Sequence, residues 1–273
     1  MNNKTQSGGT LLVECLKILG ARKCFGVPGE SYLDVLDALH DARGDVDFVL
    51  CRNEGGAAFM AEAWGKLTGE PGICMVTRGP GATNASIGVH TAMQDSTPMI
   101  LFIGQVGSDM KEREAFQEID YKAFYGSVAK WVVEITDADR ISELVARAWT
   151  TALSGRPGPV IVALPEDMLT AQTIAHPCRK VRIAEPSPSA TQIDEAMQIL
   201  AKAERPLIIA GGSAWSSTGK AALRTFTETN DIPIIAAFRF QDVIDNDSKC
   251  YSGDAGVGMI PHAKKLVKEA DTI

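Results

Sequence analysis

The runs at residues 48–51, 73–77, 99–103, 129–135 and 160–164 are short and carry apolar side chains on both faces. A strand with one wet face alternates apolar and polar residues. A strand covered by helices on both sides has no polar face to show. Between these runs the period changes. Helical spacing is expected over 56–67, 83–94, 122–124 and 142–153, and earlier at Leu11, Leu12, Cys15, Leu16 and Leu19 and near 32–39. With a further short strand at 23–27, the regular alternation predicts an α/β fold built on a doubly wound parallel sheet.

At 273 residues the chain is long enough for about two domains, at ~100–200 residues each. The alternation breaks after Pro165. His176-Pro177, Pro186 and Pro188, with Arg179-Lys180 and Arg182 among them, read as a linker. A second alternation follows, with helices at 192–202, 220–229 and 262–269 and strands at 206–210 and 233–237. The expected organisation is a first domain over 1–168, a linker over 169–190 and a second domain over 191–273. Asp271-Thr-Ile273 stands where a further strand should begin, so the sequence reads as the N-terminal half of a longer polypeptide.

Composition removes several classes of function. The formal charge of −7 is spread without a basic stripe, which argues against nucleic acid or an anionic membrane as partner. The polar start, Met1-Asn-Asn-Lys-Thr-Gln-Ser-Gly-Gly, lacks the apolar centre of a signal peptide, and no apolar stretch nears the ~18 residues of a membrane span. None of the 6 cysteines forms a C-x-x-C pair, and the histidines show no ligand spacing. No metal site is therefore expected in this chain, and free thiols in a reducing cytoplasm are the default.

The chemistry-bearing candidates begin with Glu54, in Phe48-Val-Leu-Cys-Arg-Asn-Glu54-Gly-Gly-Ala-Ala. A strand delivers this carboxylate to a helix whose first turn has almost no side-chain bulk. A close contact there would exclude water, raise the carboxyl pKa and suit it to proton exchange near neutrality. A solvated carboxylate that merely complements the helix dipole is the competing reading. Further on, Thr77-Arg-Gly79-Pro80-Gly81-Ala-Thr83-Asn84 is a glycine turn between a strand and a helix, where the backbone can approach a ligand closely. Neither G-x-G-x-x-G nor G-x-x-x-x-G-K-[ST] is present, which leaves an NAD-binding oxidoreductase poorly supported.

Taken in order, Gly26-Val-Pro28-Gly29, Arg52-Asn-Glu54-Gly-Gly-Ala, Thr77 to Asn84, Gln94-Asp-Ser-Thr-Pro98, Gly104-Gln-Val106 and Ala115-Phe-Gln-Glu118 resemble the pyrimidine-binding domain of thiamine-diphosphate (ThDP) enzymes. The nearest likeness is to the large subunit of acetolactate (acetohydroxyacid) synthase. Arg156-Pro-Gly-Pro-Val160 and Pro165-Glu-Asp167 match the end of that domain. The resemblance gives Glu54 a role: it hydrogen-bonds a ring nitrogen of the aminopyrimidine and drives the imino tautomer, which deprotonates the thiazolium carbon. It places Val27, Pro28, Thr77, Pro80, Asn84 and Gln117 against the cofactor, and Phe116 and Gln117 near the substrate. Phe116 as simple core packing is the alternative. Arg78 stands where relatives have serine, either to neutralise a substrate carboxylate or to form a surface salt bridge.

The same resemblance implies a 2-keto acid substrate, and a homodimer or dimer of dimers whose sites are shared between chains. It also implies Mg2+ on the cofactor diphosphate, held by a Gly-Asp-Gly…Asn segment that this chain lacks. Gly253-Asp-Ala-Gly256 is expected to be an ordinary turn. The middle domain of acetolactate synthases holds FAD. Here Ile209-Ala-Gly-Gly-Ser213 fits that domain, while Ala236-Ala-Phe-Arg-Phe-Gln-Asp242 departs from it, so the flavin stays open. A carboligase of acetolactate-synthase type is expected. A ThDP-dependent decarboxylase or carbon–carbon lyase and a non-catalytic cofactor-binding half-chain are the alternatives.

Overall fold

The computed structural model describes residues 5–213 and 215–273. The chain forms two compact units, Met1–Ala184 and Glu185–Ile273.

In the first unit the elements are β1 (Gln6–Ser7), α1 (Gly8–Leu19), β2 (Lys23–Gly26), α2 (Leu33–Asp41), β3 (Asp47–Leu50), α3 (Glu54–Thr68), β4 (Gly72–Val76) and α4 (Gly79–Asp95). They continue with β5 (Met99–Gln105), α5 (Tyr121–Tyr125), β6 (Trp131–Glu134), α6 (Ile141–Leu153), β7 (Pro159–Pro165), α7 (Glu166–Thr170) and β8 (Gln172–Thr173). Six strands make one parallel sheet in the order β3-β2-β4-β5-β7-β6. The doubly wound α/β architecture expected from the alternation is present.

Side-chain alternation along the central strands divides the core in two. Ile73, Met75, Ile100, Phe102, Val160, Val162 and Leu164 face α1, α2 and α6. Cys74, Val76, Met99, Leu101, Ile103, Ile161 and Ala163 face α3 and α4. Every residue of β4, β5 and β7 is buried. The edge strands β3 and β6 are only partly covered, and Leu50 at the end of β3 is largely exposed. The apolar run there reflects its place beside β2 more than burial on both faces.

The stretch expected as a linker begins inside the first unit. Gln6 and Ser7 of β1 pair antiparallel with Thr173 and Gln172 of β8. Beyond β8, the Cys178 backbone N–H donates to Cys15 Sγ at 3.3 Å, and Ala175, Cys178 and Val181 pack on the core beside α1 and α6. Prolines and basic residues dominate the composition here, and these few apolar anchors are easily overlooked among them. All 6 cysteines are free.

The second unit contains α8 (Ala190–Lys202), β9 (Ile208–Ala210), α9 (Ser217–Asn230), β10 (Ile234–Ala237), β11 (Tyr251–Ala255) and α10 (Pro261–Glu269). Its parallel sheet has the order β11-β10-β9. Gly253-Asp-Ala is therefore strand, not the expected turn: Asp254 pairs with Ala236 and Ala255 with Ala237. Glycine and aspartate suggested a turn locally, but the open edge of β10 recruits the segment as a third strand. Leu207 N–H donates to the Thr272 carbonyl at 2.9 Å, so the residues before Ile273 lie strand-like beside the entry to β9. Among the described residues, no helix is long and apolar enough to cross a membrane.

Candidate active site

The carboxyl ends of β2, β3 and β4 converge on one corner of the first sheet, where the loops of an open parallel sheet form a crevice. At the end of β3, Asn53 caps α3 by accepting from the Gly56 N–H at 3.1 Å, which sets Glu54 as the first helical residue. Its carboxylate points across to α4, where Asn84 Nδ2 donates to Oε2 at 3.0 Å. Among the described residues no donor reaches Oε1. Gly81 forms the wall beside that free oxygen: a Cβ added there would lie 3.7 Å from Glu54 Oε1 and 3.1 Å from the Thr77 side chain. Within this chain Glu54 is half-buried, and Arg52, Asn53 and Gly56 around it face solvent.

Behind this corner a set of hydroxyls holds the loops. Thr77 Oγ1 and Ser31 Oγ share a hydrogen bond at 2.8 Å. The Tyr32 hydroxyl donates to the Val27 carbonyl at 2.5 Å, which fixes the Val27-Pro28-Gly29 turn. Burial pushes the Tyr32 phenol well up, and neighbouring ionisable groups including Glu54 add to this, so it remains a donor. From α5, Tyr121 accepts from the Gly79 N–H at 3.2 Å and Tyr125 donates to the Ala82 carbonyl. Burial pushes Tyr121 up to about 12 against the opposing bond from Gly79. Sequence reasoning missed Ser31 and the three tyrosines. The signal was weak: a polar Ser-Tyr pair directly after Gly29, and two tyrosines one helical turn apart.

Thr77, Pro80, Asn84 and Glu54 therefore stand together, with Val27 and Pro28 tied in through Tyr32 and through the contact of Gly29 with Thr77. Phe116 and Gln117 reach the opposite side of the turn. Gly79 has φ +25, and a Cβ on it would meet the Gln117 carbonyl oxygen at 2.6 Å. Phe116 is 71% exposed, which overturns core packing as its explanation. Of the two expectations for Arg78 the salt bridge is the one observed: its guanidinium is engaged with the exposed carboxylates of Glu30 at 2.7 Å and Glu166 at 2.5 Å, leaving no free fork for a substrate carboxylate, although the arginine itself is buried.

A carboxylate with one oxygen held by an amide and the other open, beside a wall without a Cβ, suits a flat heteroaromatic ring carrying a basic nitrogen. The donor set thus fits an aminopyrimidine. The chain belongs to the thiamine pyrophosphate enzyme family. Residues 6–124 match the model of the thiamine pyrophosphate enzyme N-terminal TPP binding domain, and residues 193–273 match the model of the central domain. Among curated relatives, it is 32% identical to the acetolactate synthase isozyme 2 large subunit of Escherichia coli (strain K12), over 98% of this chain and 48% of that protein. It is 35% identical to the acetolactate synthase large subunit of Lactococcus lactis subsp. lactis (strain IL1403), over 99% of this chain and 48% of the relative. The isozyme 3 large subunit of E. coli is 35% identical over 85% of this chain and 41% of its own length. The chain spans about half the length of the curated relatives it matches.

Proposed function

We propose that this chain supplies the aminopyrimidine side of the active site of an acetolactate synthase-like carboligase, in which pyruvate is decarboxylated and joined to a second 2-keto acid. The observation that carries the reading is the Glu54–Asn84 pair, with Oε1 open beside Gly81. ThDP, when bound, supplies an acidic carbon that becomes the nucleophile toward the keto acid. Glu54 holds or releases a proton at Oε1 toward the pyrimidine ring, while Asn84 keeps Oε2 occupied and orients the carboxyl plane. Thr77, Pro80, Val27 and Pro28 line the ring. Gln117 and Phe116 face the incoming keto acid.

The diphosphate and its Mg2+ belong, in this reading, to sequence beyond this chain or to another polypeptide. A second copy of the protein closes over the half-exposed Glu54 and excludes water from it, giving a homodimer or dimer of dimers. FAD is left outside the proposal, since residues 236–242 depart from the synthase pattern. The test uses the full-length protein. Glu54→Gln keeps side-chain size and should slow hydrogen exchange at the thiazolium carbon of bound ThDP by ~10²–10⁴ without abolishing cofactor binding. Near-wild-type exchange would remove Glu54 from the mechanism. Acetaldehyde as the sole product from pyruvate would replace the carboligase with a decarboxylase.

A further inference from the structure

Arg78 joins three segments that are far apart in the sequence. Nη2 donates to Glu30 Oε1 at 2.7 Å in the loop after β2, and Nη1 to Glu166 Oε1 at 2.5 Å directly after β7. Nε donates to the Phe116 carbonyl at 3.1 Å, and the guanidinium carbon lies 6.0 Å from the centre of the Phe116 ring. Each guanidinium nitrogen therefore has its own acceptor, and the group is buried at 8% exposure. A lysine could offer a point charge here but not a rigid fork reaching three directions.

The segment it grips needs holding. Glu112, Glu114 and Gln117 have φ of 62, 53 and 65, left-handed conformations that non-glycine residues persist in only when their surroundings enforce them. The bonds from the Glu112 and Ala115 N–H groups to the Glu118 carboxylate are internal to the loop, so they shape it without anchoring it. The Arg78 bond to Phe116 is an anchor, placed one residue before Gln117 and directly beside the Gly79 contact with that residue.

We infer that Arg78 is a positioning residue: held by Glu30 and Glu166, it fixes the Phe116-Gln117 peptide against the Thr77–Asn84 turn and so sets where Gln117 stands toward the acceptor substrate. The inference rests on the carboligase reading for its consequence, but its geometry is independent of that reading. Arg78 touches neither Glu54 nor Asn84, so cofactor activation and carboligation should separate.

The experiment compares full-length wild type with Arg78→Lys, Arg78→Met and the milder Glu166→Gln. Hydrogen exchange in residues 111–118 is expected to quicken about tenfold in both Arg78 variants, the scale of losing one bond to a charged donor. Hydrogen exchange at the thiazolium carbon of bound ThDP, which Glu54 governs, should stay within about twofold, while the ratio of acetolactate to acetaldehyde falls about tenfold. Glu166→Gln should show the same pattern more weakly, and it reports on the clamp if Arg78→Met does not fold. A lower thermal midpoint with unchanged loop exchange and an unchanged product ratio would overturn the inference. If wild type itself makes no acetolactate, the carboligase reading fails, and loop exchange alone then decides whether Arg78 is the clamp.

Discussion

Helix α1 in the first unit and α8 in the second are nearly equal in length, 12 and 13 residues, and both are amphipathic. α1 takes Leu11, Leu12, Cys15, Leu16 and Leu19 out of contact with water, whereas α8 buries no residue. Ile193, Met197 and Ile199 of α8 remain 50%, 49% and 58% exposed. In the same way α4 buries seven positions along its small-residue face, from Gly79 to Ala92, while α9 buries only Thr227 and α10 only Ala263. The difference lies in the layers. The six-stranded sheet has a helical layer on each face, and the alternation of its strands supplies two cores. Among residues 185–273 the three-stranded sheet has two small clusters, and most of the helical surface of this segment, taken by itself, is exposed. An amphipathic pattern thus specifies a helix, but a finished layer decides how much free energy its apolar face contributes.

The sharpest way to break this comparison is to truncate one strand residue in each unit. Phe102 in β5 is 1% exposed and Ile209 in β9 is 41% exposed. Phe102→Ala should cost ~3–5 kcal/mol, the usual range for a buried aromatic, and Ile209→Ala less than about 1 kcal/mol. Denaturation followed by hydrogen exchange resolved along the chain gives both values. Equal losses at the two positions would mean that the second sheet is covered in solution.

A smaller effect should be found at the helix starts. α8 begins with a capping box: Ser189 accepts from the Gln192 N–H at 3.3 Å, and the Gln192 side chain accepts from the Ser189 N–H at 2.9 Å. With no buried face, α8 depends on such local bonds, so Ser189→Ala should weaken it by ~1 kcal/mol and speed exchange in 190–202 about fivefold. Asn53→Ala removes the matching cap from α3, whose buried Ala57, Ala58 and Ala61 hold the helix in place. Exchange in the middle of α3 should then barely change. Fraying of α3 as extensive as that of α8 would contradict the role given to the layers.

Some of this was legible beforehand and some was not, for reasons visible in particular residues. The central strands declared themselves because β4, β5 and β7 are buried on both faces and can tolerate no polar position. The glycine turn after β4 and the carboxylate at the start of α3 were legible as strand-to-helix junctions, whereas the places of Thr77, Pro80 and Asn84 came from the family resemblance. The partners of Arg78 were not legible, since Glu30, Glu166 and Phe116 are 48, 88 and 38 residues away and nothing local marks them. The same distance hid β1 with β8 and the contact of Cys15 with Cys178. For Phe116 two readings stood open, a place beside the substrate and simple core packing, and only the exposure of its ring removes the second; that its backbone carbonyl is what Arg78 holds had no local mark.

The smallest predicted effect probes a cost of complete burial in the first unit. Glu62 on α3 is 7% exposed, and its Oε1 accepts from the Thr97 hydroxyl at 2.9 Å just ahead of β5. Burial pushes its carboxyl above the ordinary value. The Thr97 bond and the Lys66 charge oppose that shift, and Asp95 adds to it. An acid whose folded pKa lies above its unfolded one binds its proton more tightly in the folded state, so its contribution to stability falls as pH rises between the two values. Below the unfolded value the carboxyl is neutral in both states and the penalty vanishes. Above the folded value the penalty is fully present. Glu62→Gln keeps an oxygen for Thr97 and removes the charge, so the variant should match wild type in acid and exceed it at neutral pH. Thermal midpoints of both proteins from about pH 4 to about pH 8 provide the check. A gap that stays constant across that range, or one in which wild type gains on the variant as pH rises, would show that Lys66 and Thr97 outweigh the burial.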